Sequence, residues 1–168
     1  MKIEDLANQE IELLNQVLEL VGTIEEKNDK VVYFGYGDKY SKIHEEYSRL
    51  AKSELEALKR GLFIIWYALT EPSCYTGIVI LNEEAEIRII KVLDRQLKEN
   101  ITDYELGWML DYYSNWDFVF EKFSEFKYLQ KRLKRKDKIE LPDQIDRKEM
   151  SQRGQMGKYW NSLNRFKE

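Results

Sequence analysis

The sequence predicts an all-α protein, a helical bundle of five or six helices, from three observations. Residues 55–70 (LEALKRGLFIIWYALT) place apolar side chains at alternating steps of three and four, which is typical of a helix with one face turned to a core. Every side chain in residues 62–69 is apolar, so we expect this segment at the centre of the bundle. Prolines and glycines are few, two and eight in 168 residues, and helix capping signals recur along the chain.

The other helices are predicted from the same periodicity and from their caps. An apolar stripe over residues 3–21 ends at Gly22, where a C-terminal cap is expected. Tyr47 and Ala51 extend the central stripe backwards, which predicts one helix of about thirty residues that ends before Pro72. Further helices are expected over residues 83–100, 102–113, 116–133 and 156–166.

Two short segments do not fit the helical pattern. Residues 31–34 (VVYF) are β-forming and stand beside Gly35 and Gly37, so a loop or one short strand is expected there. Residues 78–81 (IVIL) are too few to classify. If they form a strand, residues 31–34 are the expected partner, and a minor two-stranded ribbon would accompany the helices.

Charge divides the chain into an acidic and a basic part. Residues 1–126 carry a formal charge of −11 and residues 127–168 carry +7, which together give the net charge of −4. We therefore predict an acidic helical bundle over residues 1–136 and a basic segment over residues 137–168. The amphipathic helix of that segment docks either within the same domain or as a detachable tail.

The composition also predicts where the protein resides. A membrane span needs about 20 apolar residues in a row, whereas the longest run here has eight. The first ten residues, MKIEDLANQE, lack the apolar stretch of a secretory signal. A single cysteine, Cys74, agrees with a reducing compartment. A cytoplasmic protein without membrane contact is expected.

The residue types needed for most metal and nucleophilic chemistry are scarce. His44 is the single histidine, and an HExxH zinc site would require a second one where Ser48 stands. Two Glu-x-x-His pairs for a di-iron bundle are likewise impossible. We predict no catalytic residue, no metal and no cofactor, and we expect His44 on the surface of a charged helix.

One enzyme class stays open, because carboxylates alone can hold magnesium. The all-α nucleotide pyrophosphohydrolases of the MazG type carry EExxE on one helix and ExxD on another. Glu83 and Glu86 resemble part of the first pattern, although Ile87 stands at its last glutamate, and Glu26 with Asp29 resembles the second. A capping role at a helix N-terminus equally explains Glu83 and Glu86.

The preferred hypothesis is a non-enzymatic protein-protein interaction module. An acidic body suits an inhibitor or immunity-type protein that binds a basic partner, such as a nuclease or a nucleic-acid-guided effector, because opposite charge steers association. Homo-oligomers fit the same pattern. Aromatic residues at a helix junction are the candidate anchors for the partner, unless they belong to the core: Trp108, Tyr112, Tyr113 and Trp116.

The alternative is a nucleic-acid-binding accessory protein that uses the basic C-terminal part. Five cations are the candidate phosphate contacts: Lys131, Arg132, Lys134, Arg135 and Lys136. Nearby aromatic residues, Tyr128 among them, could stack on bases. The acidic body would repel the same polyanion, and a helix C-terminus favours cations by itself.

Overall fold

The computed structural model describes residues 2–163 and Phe166, and within these residues the chain is folded from helices and contains no strand. The all-α prediction is thus confirmed. The α-helices are α1 (Ile3–Leu18), α2 (Ile24–Tyr33), α3 (Tyr36–Leu50), α4 (Leu55–Thr70), α5 (Ser73–Thr76), α6 (Glu83–Glu99), α7 (Tyr104–Tyr113), α8 (Lys127–Leu133), α9 (Arg147–Met150) and α10 (Gly154–Ser162), and a 3₁₀ helix spans Asp117–Phe123.

Helix α4 is the centre of the fold, as its apolar run predicts. Residues 57–66 are all buried, and α3, α6 and α10 pack against this helix. Gly61 allows α6 to approach closely, because a Cβ atom there would overlap the side chain of Ile89. The apolar run extends beyond the core, since Leu69 is 50% exposed.

The predicted single helix of about thirty residues before Pro72 is wrong, because the chain turns at residues 51–54. The carbonyl of Leu50 accepts hydrogen bonds from the backbone N–H groups of Ser53 and Glu54. Glu54 is extended, with φ −125° and ψ 109°, and α4 starts after it. Helices α3 and α4 then pack on each other, which buries both apolar stripes in one core.

The two-stranded ribbon is also wrong. Thr23 and Glu26 form a capping box that starts α2, and the helix continues through Tyr33. Residues 78–81 form a loop. They approach the start of α3, because a Cβ atom at Gly37 would overlap the side chain of Val79.

Other predicted helices differ in their ends. Helix α1 stops at Leu18, so the last two residues of its predicted stripe, Leu18 and Val21, are exposed. The predicted helix over residues 116–133 is divided into the 3₁₀ helix and α8, with a break around Phe126. Such short elements raise the number of helices in the described residues above the expected five or six.

The C-terminal segment packs onto the rest of the chain. Helix α10 lies against α1 and α4, and its side chains Met156 and Trp160 are fully buried. Helix α9 packs on α10. Within the described part of the chain, no helix has the length and apolar character needed to cross a membrane.

Candidate protein-binding surface

Three of the four predicted aromatic anchors, Tyr112, Tyr113 and Trp116, pack against Trp66 of the central helix, and Trp108 packs against Trp160 of α10. Trp108 and Tyr113 are buried, whereas Tyr112 and Trp116 are partly buried. The rings of Tyr113 and Trp116 have their centroids 4.9 Å and 5.2 Å from that of Trp66. Because a buried ring offers no surface to a partner, Trp108 and Tyr113 serve the core. A partner contact through Tyr112 and Trp116 stays a prediction.

The predicted basic surface contains one structural arginine. Arg132 is largely buried, and its guanidinium donates to both carboxylate oxygens of Asp111 and, at 2.8 Å, to the carbonyl oxygen of Gly107. Arg135 forms an exposed ion pair with Asp137. The lysines of this run are exposed: Lys131, Lys134 and Lys136.

His44 is buried, so its predicted place on a charged surface is wrong. Neither ring nitrogen makes a hydrogen bond to any described residue. Burial lowers the pKa of the imidazole to about 4, although the backbone of Gly61 acts in the opposite direction. The imidazole is therefore neutral at pH 7, and it is enclosed in the core, which favours a structural role.

A buried carboxylate joins α1 to α3 and α10. Glu10 accepts hydrogen bonds from the Tyr47 hydroxyl and, at 3.1 Å, from the backbone N–H of Gln155. Burial raises the pKa of Glu10 to about 7, and these hydrogen bonds together with Arg60 limit the rise. Gly154 makes room for the carboxylate, because a Cβ atom there would overlap it. Glu10 is enclosed, which favours a structural role.

A buried ion network ties the C-terminal segment to α4 and α7. The Arg153 guanidinium donates to both carboxylate oxygens of Glu56 and of Glu105, and the Lys59 ammonium lies 2.6 Å from Asp103 and Glu105. Burial alone would raise the pKa of Glu105, but hydrogen bonds from Arg153 and Lys59 lower it to about 2. Arg60, which lies 2.7 Å from Glu56, is the third cation for these three carboxylates, so the charges balance and the network holds the fold together.

Exposed apolar side chains occur in two segments, the end of α2 and the loop before α6: Val32, Tyr33, Phe34, Val79 and Ile80. Tyr33 and Ile80 are 83% and 77% exposed. The loop is fixed beside α3 because Val79 packs over Gly37. Apolar surface of this kind often marks an interaction site.

The loop before α6 also lines a groove of about 540 Å³ between the start of α6 and the 3₁₀ helix. We call this the acid-rimmed groove. It is lined by Ile80, Leu81, Glu83, Glu86, Ile87, Lys122, Phe123, Glu125 and Phe126. Ile80 is 77% exposed, so the groove offers apolar surface to a partner.

The groove has a surplus of negative charge. Its lining contains three carboxylates and one lysine, and the ammonium of Lys122 lies 2.7 Å from both carboxylate oxygens of Glu86. That pair is internally neutral. Glu83 and Glu125 are exposed, and therefore supply the charge that an incoming molecule meets. The N-cap Asn82, whose Oδ1 accepts the Ala85 N–H at 3.0 Å, fixes the start of α6 and with it Glu83.

The acids of the pyrophosphohydrolase pattern have separate structural roles. Glu86 is held by Lys122, and the Glu26 carboxylate accepts the backbone N–H of Thr23 at 2.8 Å. Among the described residues there is no group of three His, Cys, Asp or Glu side chains arranged to hold a metal ion. The magnesium-dependent enzyme stays a prediction, without a site in the described structure.

Sequence reasoning identified the acidic character of the body but missed the groove. The signal was present in the segment IVIL, which is too apolar for an ordinary loop and directly precedes the acidic start of α6. No protein-family model, no curated protein and no solved structure matches this chain.

Proposed function

We propose that this protein is a non-enzymatic interaction module, an inhibitor or immunity-type protein that binds a basic partner through the acid-rimmed groove. The observation that carries the proposal is the combination of exposed apolar side chains with a surplus of carboxylates at one place. Burial of Ile80 and its neighbours supplies affinity, at about 25 cal/mol for each Å² of apolar surface removed from water. The carboxylates select the sign of the partner's charge.

The form of the groove favours an amphipathic helix of the partner as its occupant. An apolar groove between helices takes the apolar face of such a helix, with side chains at helical spacing. Lysines or arginines beside that face would meet Glu83 and Glu125, both exposed at the groove. A basic nuclease or a nucleic-acid-guided effector offers surfaces of this charge, since such proteins must bind phosphates.

The decisive experiment compares partner capture by groove variants and matched controls. The groove variants are Ile80→Ser and Glu125→Lys, and the controls are Ile101→Ser and Glu19→Lys, which change exposed residues outside the groove. Each protein is used as bait in an extract of the native host, and the captured proteins are quantified by mass spectrometry. We expect a basic protein that both controls retain and both groove variants lose by about tenfold or more, equivalent to about 1.4 kcal/mol.

The captured protein is then purified and its activity is titrated with each variant. Inhibition by the wild-type protein and by the controls, but not by Ile80→Ser, is expected. Equal capture by groove variants and controls, or a captured partner whose activity does not change on mixing, would contradict the proposal.

A further inference from the structure

A second surface, which the proposed function does not use, is a basic cleft of about 400 Å³ between the end of α6 and α8. Helix α8 is held beside α6 because the carboxylate of Asp94 accepts the backbone N–H of Leu129 at 2.8 Å. The lining contains four cations and no carboxylate. The cations are Lys98 from α6 and Lys131, Arg132 and Arg135 from α8 and the residues after it.

The four cations differ in how far their charge is already balanced. Arg132 is fixed by the buried carboxylate of Asp111, and Arg135 forms an ion pair with Asp137, whose side chain is 83% exposed. An exposed pair of this kind contributes little energy and can exchange its carboxylate for another anion. Lys98 and Lys131 form no ion pair within the described residues. An anion in the cleft would therefore meet two ammonium groups whose charge is unbalanced.

The cleft also presents an aromatic ring and neutral hydrogen-bonding groups. Tyr128 lines it and is 41% exposed, so part of its ring is accessible to a ligand in the cleft. Asn100 and Thr102 add an amide and a hydroxyl. The dipoles of α6 and α8 alone would favour cations at these helix ends. They do not explain an exposed ring in the same concave site.

We propose that the basic cleft binds single-stranded nucleic acid, with one base stacked on Tyr128 and the adjoining phosphates paired with Lys98 and Lys131. Cations that follow the backbone and a ring that stacks on a base are the two components of most single-strand binding sites. A duplex would not fit this role, because its bases are already stacked on one another and cannot reach the ring. The acidic remainder of the protein confines the contact to a few nucleotides.

The test measures fluorescence anisotropy of labelled oligo(U) and oligo(dT) of about 12 nucleotides, a length within the range that single-strand binding sites cover. Wild-type protein is compared with Lys98→Gln/Lys131→Gln, with Tyr128→Ala, and with the control Lys52→Gln/Lys148→Gln, which removes two exposed lysines outside the cleft. All of these side chains are exposed, so the variants should fold, and their thermal unfolding is measured to establish this. Titrations are made between about 50 and 200 mM KCl, and free UMP is added as a competitor.

We expect Lys98→Gln/Lys131→Gln to make the negative slope of log K against log[KCl] shallower by about 1.4, the value for two lost phosphate contacts on a single strand. Tyr128→Ala should weaken binding about tenfold with little change in that slope. The control should differ from wild type by less than about twofold in K at about 100 mM KCl. The absence of oligonucleotide binding by the wild-type protein, or equal losses in the control and the cleft variants, would overturn the proposal. Displacement of the oligonucleotide by UMP at equal nucleotide concentration would overturn it in favour of a mononucleotide site.

Discussion

At the scale of single residues, Glu10 and His44 show how burial determines protonation. Both side chains are almost entirely buried, yet burial shifts their pKa values in opposite directions, to about 7 for Glu10 and to about 4 for His44. The reason is that a low dielectric disfavours the charged form, which is the deprotonated form of a carboxyl and the protonated form of an imidazole.

The two shifts should oppose each other in the dependence of stability on pH. Glu10 binds its proton more tightly in the folded chain, so its contribution to the free energy of unfolding is lost as pH rises from about 4.5 to about 7. His44 binds its proton less tightly when folded, so its contribution is gained as pH rises from about 4 to about 6.5. Each shift corresponds to roughly 3 kcal/mol. We therefore expect Glu10→Gln to become more stable, relative to wild type, as pH rises through this window, and His44→Leu to become less stable.

Urea denaturation at several pH values between 4.5 and 7.5 provides the measurement. Subtraction of the wild-type curve removes the titration of all other groups, provided that they do not interact with the altered site. The control is Glu12→Gln, an exposed change in the same helix as Glu10, which should follow the wild-type curve. Parallel curves for Glu10→Gln, His44→Leu and wild type would show that neither buried group titrates as described.

The second prediction for single residues concerns the contribution of Arg153 to stability. Its side chain is 8% exposed and bonds to Glu56 and Glu105, which are 30% and 26% exposed. Arg153→Met keeps the apolar stem but removes one cation from each carboxylate, while Glu56 keeps Arg60 and Glu105 keeps Lys59. We expect the free energy of unfolding to fall by about 2 kcal/mol, because the hydrogen bonds of a largely buried cation to two carboxylates are lost.

Arg49→Met is the matched control for Arg153→Met. Arg49 also pairs with two glutamates, Glu45 and Glu46, but its side chain is 58% exposed. Water already solvates these charges, so the expected loss is below about 1 kcal/mol. Equal losses in the two variants, measured by urea denaturation at pH 7, would contradict the assignment of Arg153 to a stabilising network.

The sequence contained the signal for the burial of His44, although its charged neighbours obscured it. Tyr40, Ile43, Tyr47 and Ala51 follow helical spacing, and His44 lies on the same face of α3. The partners of Glu10 and Arg153 could not be predicted in this way. Gln155 is 145 positions from Glu10, and Glu56 is 97 positions from Arg153, so only the tertiary fold brings them together.

At the scale of the elements, local sequence predicts that helices form better than where they end. The break at residues 51–54 follows no proline or glycine, and it exists because α3 and α4 bury their stripes against each other. Residues 31–33 show the opposite case, in which the local sequence favours a strand but a helix forms. Their β-forming side chains are held in α2 by the capping box at its start, because local propensity is weak compared with a cap and the packing of Val31 in the core.

Gly157 provides a prediction about how α9 and α10 meet. It lies within α10, where alanine would be favoured by about 1 kcal/mol on helix propensity alone. A Cβ atom at this position would, however, overlap the backbone carbonyl oxygen of Met150. Gly157→Ala should therefore destabilise the protein by about 2 kcal/mol or more, because overpacking against a backbone atom forces the two helices apart.

Thermal unfolding followed by circular dichroism tests this expectation. The control is Ser162→Ala, at an exposed position of the same helix, which should change stability by less than about 0.5 kcal/mol. A Gly157→Ala protein as stable as wild type would mean that α9 and α10 do not approach as closely as described.

At the scale of the whole molecule, the division of charge along the chain does not coincide with a division of the core. The basic segment contributes Met156 and Trp160 to the same cluster of buried residues as α4, and Arg153 to the buried ion network. The formal charges of the sequence give no position for a surface. The acid-rimmed groove and the basic cleft each combine elements that are distant in the sequence, so neither could be predicted from local patterns.

Removal of residues 142–168 gives the last prediction. The truncated chain would expose the apolar faces of α1 and α4 that α10 covers, and it would leave Glu10, Glu56 and Glu105 without Gln155 and Arg153. Burial of one tryptophan in a core contributes about 3 kcal/mol or more, whereas a domain of this size has about 5–15 kcal/mol of stability in all. The shortened protein should therefore lose its cooperative unfolding transition. Differential scanning calorimetry and the binding of a hydrophobic dye provide the measurement. If the truncated chain still unfolds cooperatively, at a temperature within a few degrees of the intact protein and without dye binding, the C-terminal segment is an appendage and the core closes without it.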